Sequence, residues 1–235
     1  LETAANPYVT ELGEPSSATS RLNFSQSFNG LGSLSATFIV GQFLFNGTES
    51  GGNVVIPYTV LGVLVLGIAV VFSRVNLPEI KHRETEEDRS QGTRIMKLFR
   101  HHPMFVFGLL ALLAYEVAEI SINSYFINYV TAKGWMSDNT ASIVLTVALA
   151  LFMLGRFAGS WIMRWVKAER MLLYCAIGSV VSIGLVMLNL GVVSMVALIC
   201  NYAFEAIMFP TIFSLSLRGL GNLTKSASSL LMMTP

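Results

Sequence analysis

Charge is what this sequence lacks most. Only 12% of its 235 residues are Asp, Glu, Lys or Arg, whereas 53% are apolar and the mean hydropathy is +0.62. Soluble domains carry about 25% charged residues. Because so few charges cannot cover a globule with polar surface, we predict an all-α polytopic protein that is solvated by lipid. The net charge of +1 gives no indication of a nucleic-acid partner.

Cysteine and histidine are also scarce. The two cysteines, Cys175 and Cys200, lie in apolar runs, which argues against a disulfide framework and against a metal site. The histidines His82, His101 and His102 fall in one polar segment and are interpreted as solvated loop residues. The sequence has no G-x-S-x-G motif and no metal-ligand spacing, so we expect neither an enzyme nor a cofactor.

Long apolar runs dominate what is present. A membrane helix needs about 20 mostly apolar residues. We predict six full spans, at residues 22–45, 54–73, 104–130 and 139–163 and as two helices within 171–217. The last run is about twice one span, so a turn is expected near the sequence NLGVVS. Residues 1–10 and 223–235 are interpreted as cut helices at the two ends.

Lysine and arginine alternate from loop to loop, which predicts the topology. Thirteen of the 15 basic residues fall in every second loop, at residues 11–21, 74–103, 164–170 and 218–225. Because basic residues concentrate in cytoplasmic loops, these four are predicted to be cytoplasmic. The loop at 74–103 is the longest. It is interpreted as a solvated linker between two helix bundles, with a short amphipathic surface helix at its end as the alternative.

Four glutamates lie within or beside the predicted spans. Ionisable groups are costly there and usually mark a substrate or ion pathway. They are Glu2, Glu116, Glu119 and Glu205. Glu116 and Glu119 share one helix face with Asn123, and hydrogen bonding between helices is the alternative role for that face.

A polar stripe runs along the uncharged span at 22–45. Its members recur at helical spacing and include Asn23, Gln26 and Asn29 with Gly30 and Ser33. Amide side chains both donate and accept hydrogen bonds, as sugar hydroxyls do. The stripe therefore fits a sugar-binding surface, but helix packing through its small residues fits equally well.

An internal repeat relates the two ends of the chain. The sequence LETAANPYV at 1–9 resembles FEAIMFPTI at 204–212, so that Glu2 and Pro7 match Glu205 and Pro210. Each copy is followed by Leu-Gly, a basic residue and a Ser-rich helix start. The second copy comes six predicted helices after the first, which is the parallel repeat of major facilitator transporters. We expect the proline to loosen each helix beside a carboxylate that faces a central cavity.

The sequences LETAANPYVTELG, RLNFSQSFNGLGS, GRFAGSWIMRW and IMFPTIFSLSLRGLG resemble the fucose–glucose/galactose–proton symporter family of the major facilitator superfamily. The resemblance covers nearly the whole chain. It implies a major facilitator fold of two six-helix halves, truncated here at both ends, from within helix 4 to the start of helix 11. Residues 1–73 then belong to the N-terminal bundle, 74–103 to the cytoplasmic central loop and 104–235 to the C-terminal bundle.

The resemblance also implies roles for particular residues. Glu2 corresponds to the proton-carrying glutamate of the family's ETAANP motif, which also contains Asn6, and Gln26 and Asn29 correspond to amides that line the sugar cavity. The segment from Gly155 and Arg156 to Arg164 occupies the place of the superfamily's cytoplasmic gating motif, but without the usual aspartate. The remaining substrate-binding candidates come from the spans and the repeat: Glu119, Asn123 and Glu205.

These observations predict a secondary active transporter in a bacterial inner membrane, monomeric when full length, that takes up a monosaccharide with a proton. A sodium-coupled symporter, with Glu119 and Asn123 as ion ligands, is the alternative of the same fold. A seven-helix receptor is an alternative of another class, and the repeat and the cavity carboxylates argue against it.

Overall fold

The computed structural model describes residues 2–45, 55–75 and 91–234, and within these ranges the chain is helical without a strand. The predicted all-α class is therefore confirmed. The α-helices are α1 (Glu2–Glu11), α2 (Ala18–Phe45), α3 (Val55–Arg74), α4 (Gln91–His101), α5 (Pro103–Ala132), α6 (Asp138–Ile162), α7 (Ala168–Met187), α8 (Val192–Glu205), α9 (Met208–Leu217) and α10 (Thr224–Leu231).

Four described stretches are long and apolar enough to cross a membrane. They are Pro103–Ala132, Asp138–Ile162, Ala168–Met187 and Val192–Leu217. The predicted spans at 104–130 and 139–163 and the pair within 171–217 are thus confirmed. The reversal between α7 and α8 occurs at the expected sequence, where Asn189 has a φ of 52° and Gly191 a φ of 63°. Both values lie in the left-handed region, which closes a tight turn.

The chain divides into two compact units, one made of Leu1–Ser27 with His82–Pro235 and the other of Phe28–Lys81. The second unit contains most of α2 and all of α3, each of which is one helix, as the spans at 22–45 and 54–73 predicted. The side chains described for α3 are exposed, from Val55 at 71% to Phe72 at 59%. Such an apolar exposed helix is suited to a lipid environment.

The first unit has two apolar clusters. One joins α4, α5, α9 and α10 around Leu98, Leu112 and Phe213, which have no exposed surface. The other joins α5, α6 and α8 around Phe126, Val130 and Tyr202. Because Leu98 is buried in the first cluster, α4 is a packed helix. For Gln91–His101 the interpretation as a solvated linker is therefore wrong, because the segment is a helix with Leu98 buried against its neighbours. Residues 76–90 lie outside the described part of the chain.

Small residues let α6 approach the α8–α9 segment closely. A Cβ added to Gly155 would lie 2.8 Å from the Cβ of Ala206 and 3.4 Å from the carbonyl oxygen of Ala203. A Cβ at Gly159 would overlap the side chain of Ile207. Membrane helices use such small-residue contacts because the apolar surface of a neighbouring helix has no advantage over lipid.

The span Val192–Leu217 is interrupted directly after Glu205. Helix α8 ends at Glu205 and α9 begins at Met208, with a turn between them. Pro210 has no N–H, so the carbonyl of Ala206, four residues earlier, loses its usual helical donor. The predicted loosening beside this glutamate is thus confirmed. In the other copy of the repeat, α1 remains one helix through Pro7, so the same prediction is wrong there.

Candidate functional site

Glu205 lies at the break between α8 and α9 and is only 3% exposed. Its Oε1 accepts a hydrogen bond of 2.7 Å from Nδ2 of Asn201, one turn earlier on α8. Oδ1 of Asn201 in turn accepts a hydrogen bond of 2.7 Å from the hydroxyl of Ser179 on α7. These three residues, which we call the carboxylate relay, connect two packed helices through buried and half-buried polar side chains.

Two neighbouring helices donate hydrogen bonds to the backbone at the same break. The hydroxyl of Tyr115 on α5 donates to the carbonyl of Glu205 at 3.1 Å. Nε of Arg156 on α6 donates to the carbonyl of Ala206 at 3.0 Å. The carbonyl that Pro210 deprives of a helical partner is therefore satisfied by a side chain, as a buried backbone group requires. Both carbonyls at the break therefore have a side-chain donor from a neighbouring helix.

The predicted polar face of α5 points towards this break. Glu116 is buried and interacts electrostatically with Glu119 and Arg156. Glu119 also interacts electrostatically with Glu205. The structure therefore brings three of the four glutamates that the sequence singled out into one neighbourhood. Oδ1 of Asn123, on the same face, is buried without a hydrogen-bond donor.

Arg156 is buried at 8% exposure, although it was predicted in a gating motif. Besides its bond to Ala206, its Nη1 donates to the carbonyl of Gln26 on α2 at 3.2 Å. Its guanidinium also lies 4.6 Å from the centroid of the Phe152 ring. Arg164 is exposed in the turn after α6, so the two arginines have different surroundings.

The N-terminal candidates are only partly brought together. Nε2 of Gln26 donates to Oδ1 of Asn6 at 2.8 Å, and both side chains are buried. Gln26 thus joins α1 and α2, and its backbone carbonyl reaches Arg156. Asn29 is an exposed residue of the second unit. The side chain of Glu2 lies outside the described part of the chain.

A row of uncharged hydrogen bonds joins the start of α2 to α6 and α9. Ser20 Oγ donates to the carbonyl of Ser160 at 2.7 Å, and Ser160 Oγ donates to the carbonyl of Ser20 at 2.9 Å. The hydroxyls of Thr19 and Ser214 are 2.9 Å apart. Nδ2 of Asn23 lies 3.2 Å from Oγ1 of Thr211. We call this row the hydroxyl seam.

The hydroxyl seam shows the role of one residue of the polar stripe on α2, Asn23. Asn23 is fully buried, and its amide also donates to the carbonyl of Thr19 in its own helix. At this position the structural interpretation of the stripe holds, because the amide is used in contacts between helices. Every pair in the seam lies near the loops at 11–21, 164–170 or 218–225 in the sequence.

Sequence reasoning missed several residues of this region, among them Ser179, Asn201, Tyr115 and Ser160. Asn201 had a local signal, since it lies four residues before Glu205 and such a pair shares a helix face. The others had none, because their partners are distant in sequence. Among the residues that the structure describes, no group of three or more His, Cys, Asp or Glu side chains is placed to hold a metal ion.

Comparison with known proteins gives consistent matches along the whole chain. A family model described as Major Facilitator Superfamily matches residues 1–234. The chain is 32% identical to a glucose/galactose transporter of Brucella abortus over 98% of its length. It is 30% identical to an L-fucose-proton symporter of Haemophilus influenzae over 94% of its length.

A solved structure matches the fold over the full chain. The Escherichia coli fucose:proton symporter FucP aligns with 100% of the chain at a TM-score of 0.87 and 28% identity. A second FucP structure, described as being in the outward conformation, aligns with the same TM-score. The chain spans 57% of the length of each of the two sequence relatives and 63% of that first FucP chain. The resemblance that the sequence motifs indicated is confirmed by these matches.

Proposed function

The chain belongs to the major facilitator superfamily, and from that premise we propose that it is part of a secondary active transporter that takes up a monosaccharide together with a proton. The relatives named above are a glucose/galactose transporter and an L-fucose-proton symporter, which supports a sugar as substrate and a proton as coupling ion. The substrate, the coupling and the alternating-access mechanism of the whole protein are all part of this proposal.

The observation that supports it most directly is the buried Glu205 at a broken span. Discontinuous helices at membrane depth are tolerated where they line a cavity, and in transporters they form substrate and ion sites. Glu205 is held by Asn201, and Glu119 lies in the same electrostatic neighbourhood. Carboxylates accept hydrogen bonds from sugar hydroxyls, so this cluster has the chemistry of one wall of a sugar site.

Glu2 is the proposed proton site, by its place in the ETAANP motif. A charged carboxylate in the wall of a cavity disfavours closure, because closing removes its hydration. Protonation removes that cost and permits reorientation. Sugar and proton move together if only the doubly loaded or the empty carrier reorients. Glu2 and Glu205 occupy matching positions of the repeat, which places one carboxylate in each half of the transporter.

The hydroxyl seam has a natural role in this cycle. Basic residues predict that the loops at 11–21, 164–170 and 218–225 are cytoplasmic, in a bacterial inner membrane. On that topology the seam closes the cytoplasmic end of the transport path with uncharged hydrogen bonds, in the place of the salt bridge that the missing aspartate would supply. The match to a FucP structure in the outward conformation is consistent with this state.

Uptake assays on the full-length protein test the proposal. Vesicles should accumulate labelled glucose, galactose or fucose when an inward proton gradient is imposed, and a protonophore should abolish accumulation. Glu2→Gln should abolish accumulation but retain sugar counterflow, because counterflow needs no net proton movement. If Glu2→Gln still accumulates sugar against its gradient, Glu2 is not the proton site. If none of the sugars is taken up, the proposed function is wrong.

Sodium coupling is a second candidate, and one observation favours it. Oδ1 of Asn123 is buried without a hydrogen-bond donor, and amide and carboxylate oxygens are the ligands that hard cations prefer. Asn123 and Glu119 lie four residues apart on α5, so both oxygens can serve one ion. Replacing sodium by choline at constant pH should leave uptake unchanged if the proton is the coupling ion, and should abolish uptake if sodium is.

A further inference from the structure

In the carboxylate relay, Glu205 is held by two further side chains, Asn201 directly and Ser179 through Asn201. Asn201 is fully buried and Glu205 nearly so. A buried amide must satisfy both its oxygen and its nitrogen, and here each has one partner. Ser179 lies on α7, so the relay reaches from a neighbouring helix to the carboxylate at the break.

The direction of the hydrogen bonds follows from the ionised carboxylate, which can only accept. Nδ2 of Asn201 can only donate, and Oδ1 can only accept. The Ser179 hydroxyl donates to Oδ1, which turns the amide so that its nitrogen faces Glu205. Oε1 of the ionised Glu205 carboxylate accepts from that nitrogen.

We propose that Ser179 and Asn201 are positioning residues that hold Glu205 in one orientation and leave Oε2 as the oxygen that meets the sugar. This inference rests on the proposed sugar site. In this arrangement the carboxylate keeps one oxygen for the protein and one for the ligand. The relay thereby sets the direction of the sugar contact.

Other charged and titratable groups face the same carboxylate and contribute to its environment. On α5, Glu119 and Tyr115 interact electrostatically with Glu205, and Glu116 interacts with Glu119. On α6, Arg156 bonds to the neighbouring carbonyl of Ala206. Tyr202, on α8 itself, also interacts electrostatically with Glu205, and its hydroxyl is buried without a hydrogen-bond partner. The relay differs from all of these because it contacts a carboxylate oxygen directly at 2.7 Å.

The test is a double-mutant cycle in the full-length transporter, read as the apparent KM for sugar in counterflow. Asn201→Ala should raise KM at least tenfold, the effect expected from losing a hydrogen bond to a charged group. Ser179→Ala should raise KM by a smaller factor in the wild-type background and leave it unchanged when Asn201 is already Ala. Ser179→Thr keeps the hydroxyl and should have the same KM as the wild type. Ser182→Ala removes a buried hydroxyl elsewhere on α7 and should have no effect.

A pH profile separates positioning from mere packing. Asn201→Asp puts a second carboxylate at hydrogen-bonding distance from Glu205, and two such groups cannot both be ionised. The pH dependence of counterflow should therefore move to higher pH. Adding Glu205→Gln to the Asn201→Asp variant should return the profile to that of the wild type. The proposal is overturned if Asn201→Ala leaves KM unchanged, or if Ser179→Ala has the same effect with and without Asn201.

A spectroscopic measurement keeps this inference distinct from the proposed function. In infrared difference spectra of glutamate-labelled protein at acid against neutral pH, the Glu205 carbonyl band is identified by its loss in Glu205→Gln. Asn201→Ala and Ser179→Ala should shift that band, because its carbonyl oxygen loses or misplaces a donor, whereas Ser182→Ala should not. A protein that takes up no sugar but shows these shifts would refute the proposed function alone. A Glu205 band that Asn201→Ala does not move would refute the relay.

Discussion

Removing the reciprocal serine pair should open the hydroxyl seam. Ser20 and Ser160 each donate to the other's carbonyl, at 2.7 and 2.9 Å. The double variant Ser20→Ala/Ser160→Ala deletes both donors and leaves two carbonyls without them. The volume removed is small, so the change tests hydrogen bonding more than packing.

The expected magnitude follows from these two bonds. A typical intramolecular hydrogen bond contributes about 1 kcal/mol net, so the pair contributes about 2 kcal/mol to the closed arrangement. That free energy changes a two-state ratio by about 30-fold. A closed-to-open ratio of about 100 would fall to about 3, so that the open state becomes readily detectable.

The assay is pulsed electron–electron resonance between spin labels placed at the exposed residues Glu14 and Lys167, which lie in the turns after α1 and α6. The double variant should add a population at longer distance to the wild-type distribution. Ser142→Ala is the matched control, because this exposed residue of α6 donates only to the carbonyl of Asp138 in its own helix at 3.0 Å.

The interpretation of the seam fails if the double variant and Ser142→Ala give the same distance distribution as the wild type. It also fails if the two single variants each open the protein as far as the double variant, since two similar bonds should contribute comparably. A disulfide between Ser20→Cys and Ser160→Cys that leaves sugar counterflow intact would show that the seam does not separate during transport.

Three further predictions concern packing and are read as thermal unfolding of the purified protein. Leu98→Ala should destabilise it by about 2–5 kcal/mol, because Leu98 is fully buried between α4 and its neighbours; an unchanged Tm would show that α4 is not anchored. Gly155→Leu should lower the Tm or prevent folding, because even a Cβ there lies 2.8 Å from Ala206, whereas Gly184→Leu, with open space, should be tolerated. Tyr115→Phe should lower the free energy of unfolding by about 1 kcal/mol, because the hydrogen bond to the Glu205 carbonyl is lost. A Tm equal to that of the wild type would mean that this bond is replaced.

The spans were predictable because lipid imposes a simple constraint on them. A helix in hydrocarbon needs a run of apolar residues, and charge is tolerated only where it is satisfied. The runs at 104–130 and 139–163 therefore correspond to α5 and α6 within two residues at each end. The turn after α7 was equally visible, because one run was too long for one span. Pro210 gave the helix break, since proline removes a specific backbone donor.

The contacts of the site were less predictable, because they join residues far apart in sequence. Thr19 and Ser214 are separated by 195 positions, and a hydroxyl in a helix carries no sign of its partner. Pro7 shows that a local signal can also mislead. It matches Pro210 in the repeat, but it did not interrupt α1. The sequence placed Arg156 in a motif near a loop. Its role, however, depends on its hydrogen-bond acceptors, which are backbone carbonyls of two other segments.

Arg156 connects the two regions that the proposed cycle must coordinate. Its Nη1 bonds to the carbonyl of Gln26 on α2, and its Nε bonds to the carbonyl of Ala206 beside Glu205. The planar guanidinium holds these donors in a fixed fork, so one side chain relates the two carbonyls geometrically. If α2 separates from α6 and α9 when the seam opens, the bond to Gln26 breaks while the bond to Ala206 can persist. The Arg156 guanidinium then has one hydrogen bond fewer beside the break that carries Glu205. A rearrangement at the seam would therefore reach the break beside Glu205 through Arg156, without any direct contact between the two regions.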